Sequence, residues 1–231
     1  MIKPTRPVTG VSFLVPYLPP YFVERPEVSE KLKQCLFSEA TKAGTLVVSA
    51  IYGSGGIGKS TLAAALAYDP EVQAHFPDGI LWITLGQQPD LLSCLGRWIQ
   101  ALRDFDFKPT TIDAASMHLR TLLSHKAILL VVDDLWNPEH LEPFRIGRQA
   151  CRVLVTTREA GIIGATRYDL DVMTPQQLLV LLEQHRGGQL SKAEQKQAQA
   201  LAKTVSYLPL ALELAAAQIT DGLSWSELLS D

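Results

Sequence analysis

The sequence contains few cysteines and no long apolar stretch, and each absence excludes a class of protein. Its 231 residues include only 3 cysteines, Cys35, Cys94 and Cys151, which are widely spaced and form no C-x-x-C pair. This usage excludes a disulfide framework and is typical of a reduced, cytoplasmic protein. No apolar run approaches the ~20 residues needed to cross a membrane, so we expect no membrane span. Prolines interrupt the apolar N-terminus, which argues against a signal peptide.

Basic clusters are also lacking. The formal net charge is −3, with 21 Lys and Arg against 24 Asp and Glu. Because nucleic-acid binding needs basic side chains gathered on one face, we expect no direct nucleic-acid contact from this segment. The hydrophobic content of 47% and the charged content of 19% are those of an ordinary globular chain. A chain of this length holds one large domain, or a domain of average size with a smaller companion.

Strand-like and helix-like segments alternate through the first three quarters of the chain. The predicted strands are Thr45–Tyr52, Gly79–Leu85, Ala127–Asp133, Arg152–Thr157 and Tyr168–Val172, and the predicted helices span about 59–68, 90–103 and 112–124. Continuous apolar strands are typical of a parallel sheet that is covered by helices on both faces. The pattern therefore predicts a doubly wound α/β domain over residues 21–172, preceded by an extended linker over residues 1–20.

The pattern becomes entirely helical after residue 172. Helix-start signals occur at Thr174–Gln177, Ser191–Glu194 and Ser224–Glu227, and Pro209 can open a further helix. These signals predict a small domain of four short helices over residues 173–231. Since so few residues bury little apolar surface, we expect this domain to pack against the α/β domain.

A glycine-rich segment lies between the first predicted strand and an Ala-rich helix. Residues 53–60 read G-S-G-G-I-G-K-S and fit the pattern G-x-x-x-x-G-K-[ST]. Such glycines let backbone N–H groups surround phosphate oxygens, at which the helix directs the positive end of its dipole. Lys59 would reach the β- and γ-phosphates, and the Ser60 hydroxyl would bind Mg²⁺. The alternative is a turn that merely joins strand to helix, but this context favours a nucleoside triphosphate site.

An acidic pair, Asp133 and Asp134, follows the apolar run Leu129–Val132. Because α/β proteins bind ligands at the C-terminal ends of parallel strands, both carboxylates would lie near the phosphates. Asp133 would hold Mg²⁺ through its water shell, and Asp134 would polarise the attacking water as a general base. Alternatively, the pair caps the turn before Pro138, although the upstream phosphate loop favours the functional interpretation.

Arg158 follows the apolar run Val153–Val155 and two threonines. It would emerge at the same edge of the sheet, where a guanidinium can contact the γ-phosphate and report its presence. The alternative is a solvated arginine at the end of a strand.

Taken together, these motifs resemble those of the NB-ARC group of STAND ATPases, which are relatives of the AAA+ proteins. The matching stretches are Phe22–Arg25, Gly53–Thr61, Leu129–Trp136, Val153–Glu159 and Tyr207–Leu212. The resemblance covers nearly the whole chain from about Tyr21 onwards. It implies an ASCE-type P-loop NTPase fold, an α/β domain with a parallel sheet in the order 5-1-4-3-2, followed by a small helical domain.

The resemblance also implies a function and a set of site residues. Phe22, Val23 and Arg25 would border the adenine, and Pro209 would pack on the base or ribose from the other side. The expected nucleotide-binding residues are Phe22, Val23, Arg25, Gly53, Gly55, Gly56, Ile57, Gly58, Lys59, Ser60, Thr61, Pro209 and Leu210; the catalytic ones are Lys59, Asp134 and Arg158; and the Mg²⁺ ligands are Ser60 and Asp133. The implied function is an ATP/ADP switch with slow Mg²⁺-dependent hydrolysis, coupled to domain rearrangement and self-association.

Two departures from the family pattern stand out. Glu24 occupies a position where the family normally carries glycine. The family also continues into a winged-helix domain whose histidine contacts the ADP β-phosphate, and no such motif is found here. We therefore expect this chain to be a piece of a longer receptor-like protein with further sensor or effector domains.

Other functional classes remain open at this point. An AAA+-type motor would need an arginine that acts across subunits, for which Arg145, Arg148 and Arg167 are candidates, each otherwise an ordinary surface charge. A GTPase is disfavoured, since no D-x-x-G follows the Asp133 strand and no N-K-x-D occurs. A small-molecule kinase would need a second pocket and a lid. A non-catalytic module would hold ADP as a structural ligand.

Overall fold

The computed structural model describes residues 12–38, 47–147 and 150–228. Strands and helices alternate through most of these ranges. The strands are β1 (Ser12–Phe13), β2 (Val47–Tyr52), β3 (Gly79–Gly86), β4 (Ile128–Leu135), β5 (Arg152–Thr157) and β6 (Ala165–Asp169). The α-helices are α1 (Pro26–Phe37), α2 (Lys59–Tyr68), α3 (Pro70–His75), α4 (Leu91–Ala101), α5 (Ile112–Leu122), α6 (Pro175–Arg186), α7 (Lys192–Thr204), α8 (Pro209–Thr220) and α9 (Trp225–Leu228), and a 3₁₀-helix spans Pro138–Phe144.

The described strands form one parallel sheet in the order β1-β3-β4-β5-β2-β6. Without β1, this is the five-stranded order 5-1-4-3-2 that the family resemblance implies, and that prediction is confirmed. β1 adds an edge strand in which Phe13 pairs with Ile80 and the N–H of Leu14 donates to the Ile80 carbonyl at 3.0 Å. The predicted linker over residues 1–20 thus includes a strand at Ser12–Phe13, while residues 1–11 lie outside the described residues.

One predicted strand is misplaced along the chain. The sequence predicts the fifth strand at Tyr168–Val172, but the strand that pairs with the outer edge of β2 is β6, Ala165–Asp169. An edge strand keeps most of its side chains exposed, so it lacks the apolar run that marks a central strand. Leu170 instead packs into the core just after the strand, and its N–H donates to the Tyr52 carbonyl at 2.8 Å.

Two apolar clusters cover the two faces of the sheet. Successive side chains of a strand point to opposite faces, and β4 shows this division clearly. Leu130 and Val132 belong to the cluster that contains α4 and α5 residues, whereas Leu129 and Val131 belong to the one that contains α1 and α2 residues. This double burial explains the continuous apolar run of β4 and produces three layers.

A third apolar cluster lies among the helices that follow β6. Reciprocal side-chain caps begin α6 at Thr174 and α7 at Ser191, as the sequence predicts, and Gly187 ends α6 in the left-handed conformation. Leu181 and Leu212 are central to this cluster, which also contains Val23 from before α1. The division into domains 21–172 and 173–231 stays an interpretation, and residues 229–231 lie outside the described ranges.

Within the described residues, no helix is both long and apolar enough to cross a membrane.

Candidate nucleotide-binding site

The phosphate loop joins the end of β2 to the start of α2. Gly56 and Gly58 have φ angles of +76° and +95°, in the left-handed region that favours glycine. Gly58 is the N-cap of α2, and no side chain of the described residues caps this end of the helix. The first N–H groups of α2 therefore remain available to an anion, as they are in phosphate-binding loops.

Lys59 is folded back onto the loop. Its Nζ donates hydrogen bonds to the carbonyl oxygens of Gly53 and Ser54, each at 2.8 Å, and the residue is only 8% exposed. Burial holds the pKa of the Lys59 ammonium below its ordinary value, and the positive charge of Arg158 lowers it further. An anion in the cleft would relieve this electrostatic penalty on Lys59. Ser60, the next residue in the chain, is exposed to solvent.

Asp133 and Asp134 have different environments at the end of β4. Asp133 is 5% exposed, and its carboxylate accepts hydrogen bonds from Thr156 Oγ1 at 2.6 Å and Thr84 Oγ1 at 3.2 Å. Asp134 has a φ angle of +52°, and its N–H donates to Thr156 Oγ1 at 2.9 Å. The pairing of β4 with β5 shifts register between Val132 and Leu135. At this irregularity Asp134 lines the cleft described below, whereas Asp133 is buried and is not among the lining residues.

Arg158 lies over the phosphate loop. Its guanidinium carbon is 4.7 Å from the centre of the Trp136 ring, a cation–π contact. A Cβ built on Gly55 would lie 2.8 Å from the same guanidinium carbon, so the missing side chain of Gly55 makes room for the arginine.

These segments meet in one cleft. Its lining consists of Gly56, Gly58, Lys59, Ser60, Thr61, Asp134, Arg158, Pro209, Leu210 and Glu213. The three predicted catalytic residues, Lys59, Asp134 and Arg158, are therefore brought together from three distant parts of the chain. Gly53, Gly55, Ile57 and Asp133 are absent from the described lining of this cleft. The Gly53 carbonyl accepts a hydrogen bond from Lys59, and Gly55 lies next to Arg158.

An apolar slot adjoins this cleft. Its lining consists of Tyr21, Phe22, Val23, Arg25, Ile57, Gly58, Thr61, Leu62, Met173, Leu181, Pro209 and Glu213. The residues predicted to border the adenine, Phe22, Val23, Arg25 and Pro209, all belong to it. The lining combines the N-terminal segment, the phosphate loop with the start of α2, and the helices after β6.

Arg25 has a structural contact that the sequence did not predict. Its Nη2 donates to the carbonyl oxygen of Asp171 at 2.8 Å and, more weakly, to that of Val172 at 3.4 Å. Arg25 is 7% exposed, and burial lowers the pKa of its guanidinium. Arg25 thus fastens the connection between β6 and α6 to the start of α1, beside the slot.

Comparison with known proteins identifies the family. Residues 25–191 match the family model described as "NB-ARC domain". The chain belongs to the NB-ARC family. It is 32% identical over 197 residues to the regulatory protein AfsR of Streptomyces griseus, which covers 81% of this chain and 20% of that protein. It is 29% identical over 224 residues to the apoptotic protease-activating factor 1 of Danio rerio, which covers 90% of this chain and 17% of that protein. The chain therefore spans about a fifth of the length of these relatives.

A solved structure shows the same fold. A signal transduction ATPase with a tetratricopeptide repeat sensor from Pyrococcus horikoshii superposes with a TM-score of 0.50 at 20% identity, over 83% of this chain and 29% of that one. The NB-ARC family implies that this chain binds a nucleotide. A loop with two left-handed glycines and a buried lysine stands beside a slot with apolar walls.

The donor atoms also fit the Mg²⁺ that accompanies such nucleotides. Mg²⁺ prefers oxygen ligands and usually binds through one or two carboxylates together with substrate phosphates. The NB-ARC chain offers the exposed Ser60 hydroxyl and the Asp133 carboxylate. Across the described ranges, no three His, Cys, Asp or Glu side chains gather into a metal cluster.

The structure places at this site several residues that the sequence motifs did not predict. Thr84 and Thr156 hold Asp133, Trp136 contacts Arg158, and Glu213 lines both the cleft and the slot. A sequence signal existed for Glu213, because it lies one helical turn after Pro209 and so shares its face. Nothing in the sequence pairs the threonines with Asp133, since they lie on different strands.

The Gly56–Leu210 contact joins the phosphate loop to α8. The Leu210 N–H donates to the Gly56 carbonyl at 3.2 Å, and a Cβ on Gly56 would lie 3.0 Å from Leu210 Cβ.

Since Gly56 also has a φ of +76°, we expect Gly56→Ala to lower the free energy of unfolding by about 1–2 kcal/mol. Urea denaturation measures this change. Gly188→Ala is the matched control, because Gly188 has open space around it and follows a helix. Equal stability of the two variants would contradict the importance of the contact.

Proposed function

We propose that this chain is the ATP/ADP switch of a longer STAND signalling protein, with slow Mg²⁺-dependent ATP hydrolysis. The observation that supports this most is that Pro209 and Glu213 of α8 line both the apolar slot and the phosphate cleft. A nucleotide with its base in the slot and its phosphates on the loop would contact the sheet region and α8 at once. Such a ligand can bias the position of the helices that follow β6.

Each group around the cleft has a chemical role in this proposal. The Lys59 ammonium would leave its two loop carbonyls to bind β- and γ-phosphate oxygens. Ser60 and, through water, Asp133 would hold Mg²⁺. Asp134 would accept a proton from the water as the water oxygen attacks the γ-phosphorus and the bond to the β-phosphate oxygen breaks. Arg158 would contact the γ-phosphate and so distinguish ATP from ADP.

Slow turnover is supported by the arginines around the sheet. Arg145 pairs with Glu142 at 3.1 Å and donates to the Ile163 carbonyl at 2.7 Å. Arg167 pairs with Asp169 and stacks over the Tyr52 ring at 3.9 Å. Both arginines are therefore held by local contacts, and Arg148 lies outside the described residues. Asp134 is also shorter than the glutamate that is common in fast motors of this class.

Switching would act through the contact between the phosphate loop and α8. The Leu210 N–H donates to the Gly56 carbonyl. A movement of the loop around a γ-phosphate would therefore displace the start of α8. A ligand shifts such an equilibrium only by its differential affinity for the two states. In the longer protein, we propose that the ATP state favours self-association and that winged-helix and sensor or effector domains read the change.

Nucleotide binding and assembly test this function together. We expect calorimetric titration to show Mg²⁺-dependent binding of ATP and ADP, with GTP competing poorly. Light scattering should show a larger particle with a non-hydrolysable ATP analogue than with ADP, and phosphate release should be slow. Failure to bind any adenine nucleotide would refute the proposal. Tightly retained ADP without turnover would favour the alternative of a non-catalytic module with a structural ligand.

A further inference from the structure

Glu213 is placed where the two compartments of the site meet. The residues that line both the slot and the cleft are Gly58, Thr61, Pro209 and Glu213. Of these four residues, Glu213 alone has a charged side chain. Glu213 thus borders both the region where a base would bind and the region where phosphates would bind.

The order of groups in a nucleotide decides what this carboxylate can contact. The ribose lies between base and phosphates, so it would occupy the overlap of the two compartments. Phosphate oxygens are anionic acceptors and repel a carboxylate, whereas the ribose hydroxyls are donors that a carboxylate accepts. An acidic residue that binds a ribose hydroxyl in this way is a known device of nucleotide sites on other folds.

The carboxylate of Glu213 has unused capacity to accept such bonds. Among the described residues it makes no hydrogen bond or ion pair, unlike Glu194 and Glu227, whose carboxylates accept from the starts of α7 and α9. Burial raises the pKa of the Glu213 carboxyl. A half-buried carboxylate without a partner, inside a binding cleft, is typical of a group that a ligand completes.

We infer that Glu213 accepts hydrogen bonds from the ribose hydroxyls of the bound nucleotide and thereby selects ribonucleotides over their deoxy analogues. This inference rests on the proposed function, since it requires an adenine nucleotide in the cleft. It adds a specificity-determining residue that lies on α8 rather than on the phosphate loop. The sugar would then be held by the same helix that is expected to move between the ATP and ADP states.

The test compares ATP, 2′-deoxy-ATP and 3′-deoxy-ATP by calorimetric titration of the wild-type chain and of Glu213→Ala. A hydrogen bond to a charged group is strong enough that at least one deoxy analogue should bind the wild-type chain about ten-fold more weakly than ATP. In Glu213→Ala, the three affinities should become equal within about two-fold. Asp221→Asn is the matched control, because it removes the same charge from the other end of α8, and it should keep the wild-type ratio.

Glu213→Gln covers the case in which the alanine variant fails to fold. It conserves the volume and keeps an acceptor oxygen without the charge, so we expect an intermediate ratio of about three-fold. The inference is wrong if the wild-type chain binds all three nucleotides equally, or if Glu213→Ala weakens them equally and preserves their ratio. The latter result would indicate a metal or packing role instead. Absence of any binding to the wild-type chain would refute the proposed function, which is a separate outcome.

Discussion

Replacing Lys59 with alanine is expected to abolish nucleotide binding, with a loss in affinity of about 100-fold or more. The ammonium is the buried cation at the phosphate end of the cleft, and its present partners are two loop carbonyls. Without it, the β- and γ-phosphates would keep the backbone N–H groups, Arg158 and the Mg²⁺ held at Ser60. Calorimetric titration with ATP and with ADP measures the effect.

The Lys59 variant should otherwise fold normally. Because burial disfavours the charged form of Lys59, its removal also removes a desolvation cost, which offsets the two lost hydrogen bonds. Lys196→Ala, on an exposed position of α7, is the control and should bind like the wild-type chain. Wild-type affinity in Lys59→Ala, with an unchanged unfolding transition, would show that the phosphates bind elsewhere.

Asp134→Asn should bind ATP normally and lose hydrolysis, with turnover about 100- to 10,000-fold slower, as expected when a general base is removed. Asparagine is preferred to alanine for this test because Asp134 has a φ of +52°. Asparagine tolerates that backbone conformation, whereas alanine adds strain of about 1 kcal/mol. Single-turnover phosphate release gives the rate, and a titration with ATP confirms that binding is retained.

The exposed loop residue Asp106 provides the control for this change. Asp106 does not line the cleft or the slot, so Asp106→Asn removes an equal charge outside the site and should hydrolyse ATP like the wild-type chain. Wild-type turnover by Asp134→Asn would refute the general-base assignment. It would leave the buried Asp133, held by Thr84 and Thr156, as the carboxylate to examine next.

The environments of the two aspartates explain why this test can separate their roles. Asp133 is buried and fixed by two threonine hydroxyls, which suits a group that holds Mg²⁺ through water. Asp134 is turned into the cleft by a left-handed backbone and a register shift. Strained backbone of this kind persists where neighbouring contacts determine it, here the bond from the Asp134 N–H to Thr156.

The central strands, the phosphate loop and the family could be predicted from the amino-acid sequence. β5 and α2 begin and end at the predicted residues, and the predicted capping boxes at Thr174 and Ser191 are present. These features depend on interactions between residues that are close in the chain. Hydrophobic periodicity, the φ preference of glycine and helix capping all act over a few residues, so the sequence displays them directly.

Which distant groups share the site could be seen only in the folded structure. β1 pairs at the edge of the sheet through two residues, too few for a periodic pattern, and β6 shows little apolar signal because its side chains face solvent. The contacts of Thr156 with Asp133, of Arg25 with Asp171 and of Glu213 with both compartments join parts of the chain that are far apart. Such contacts form only when packed layers bring the segments together, and no local rule of sequence encodes them.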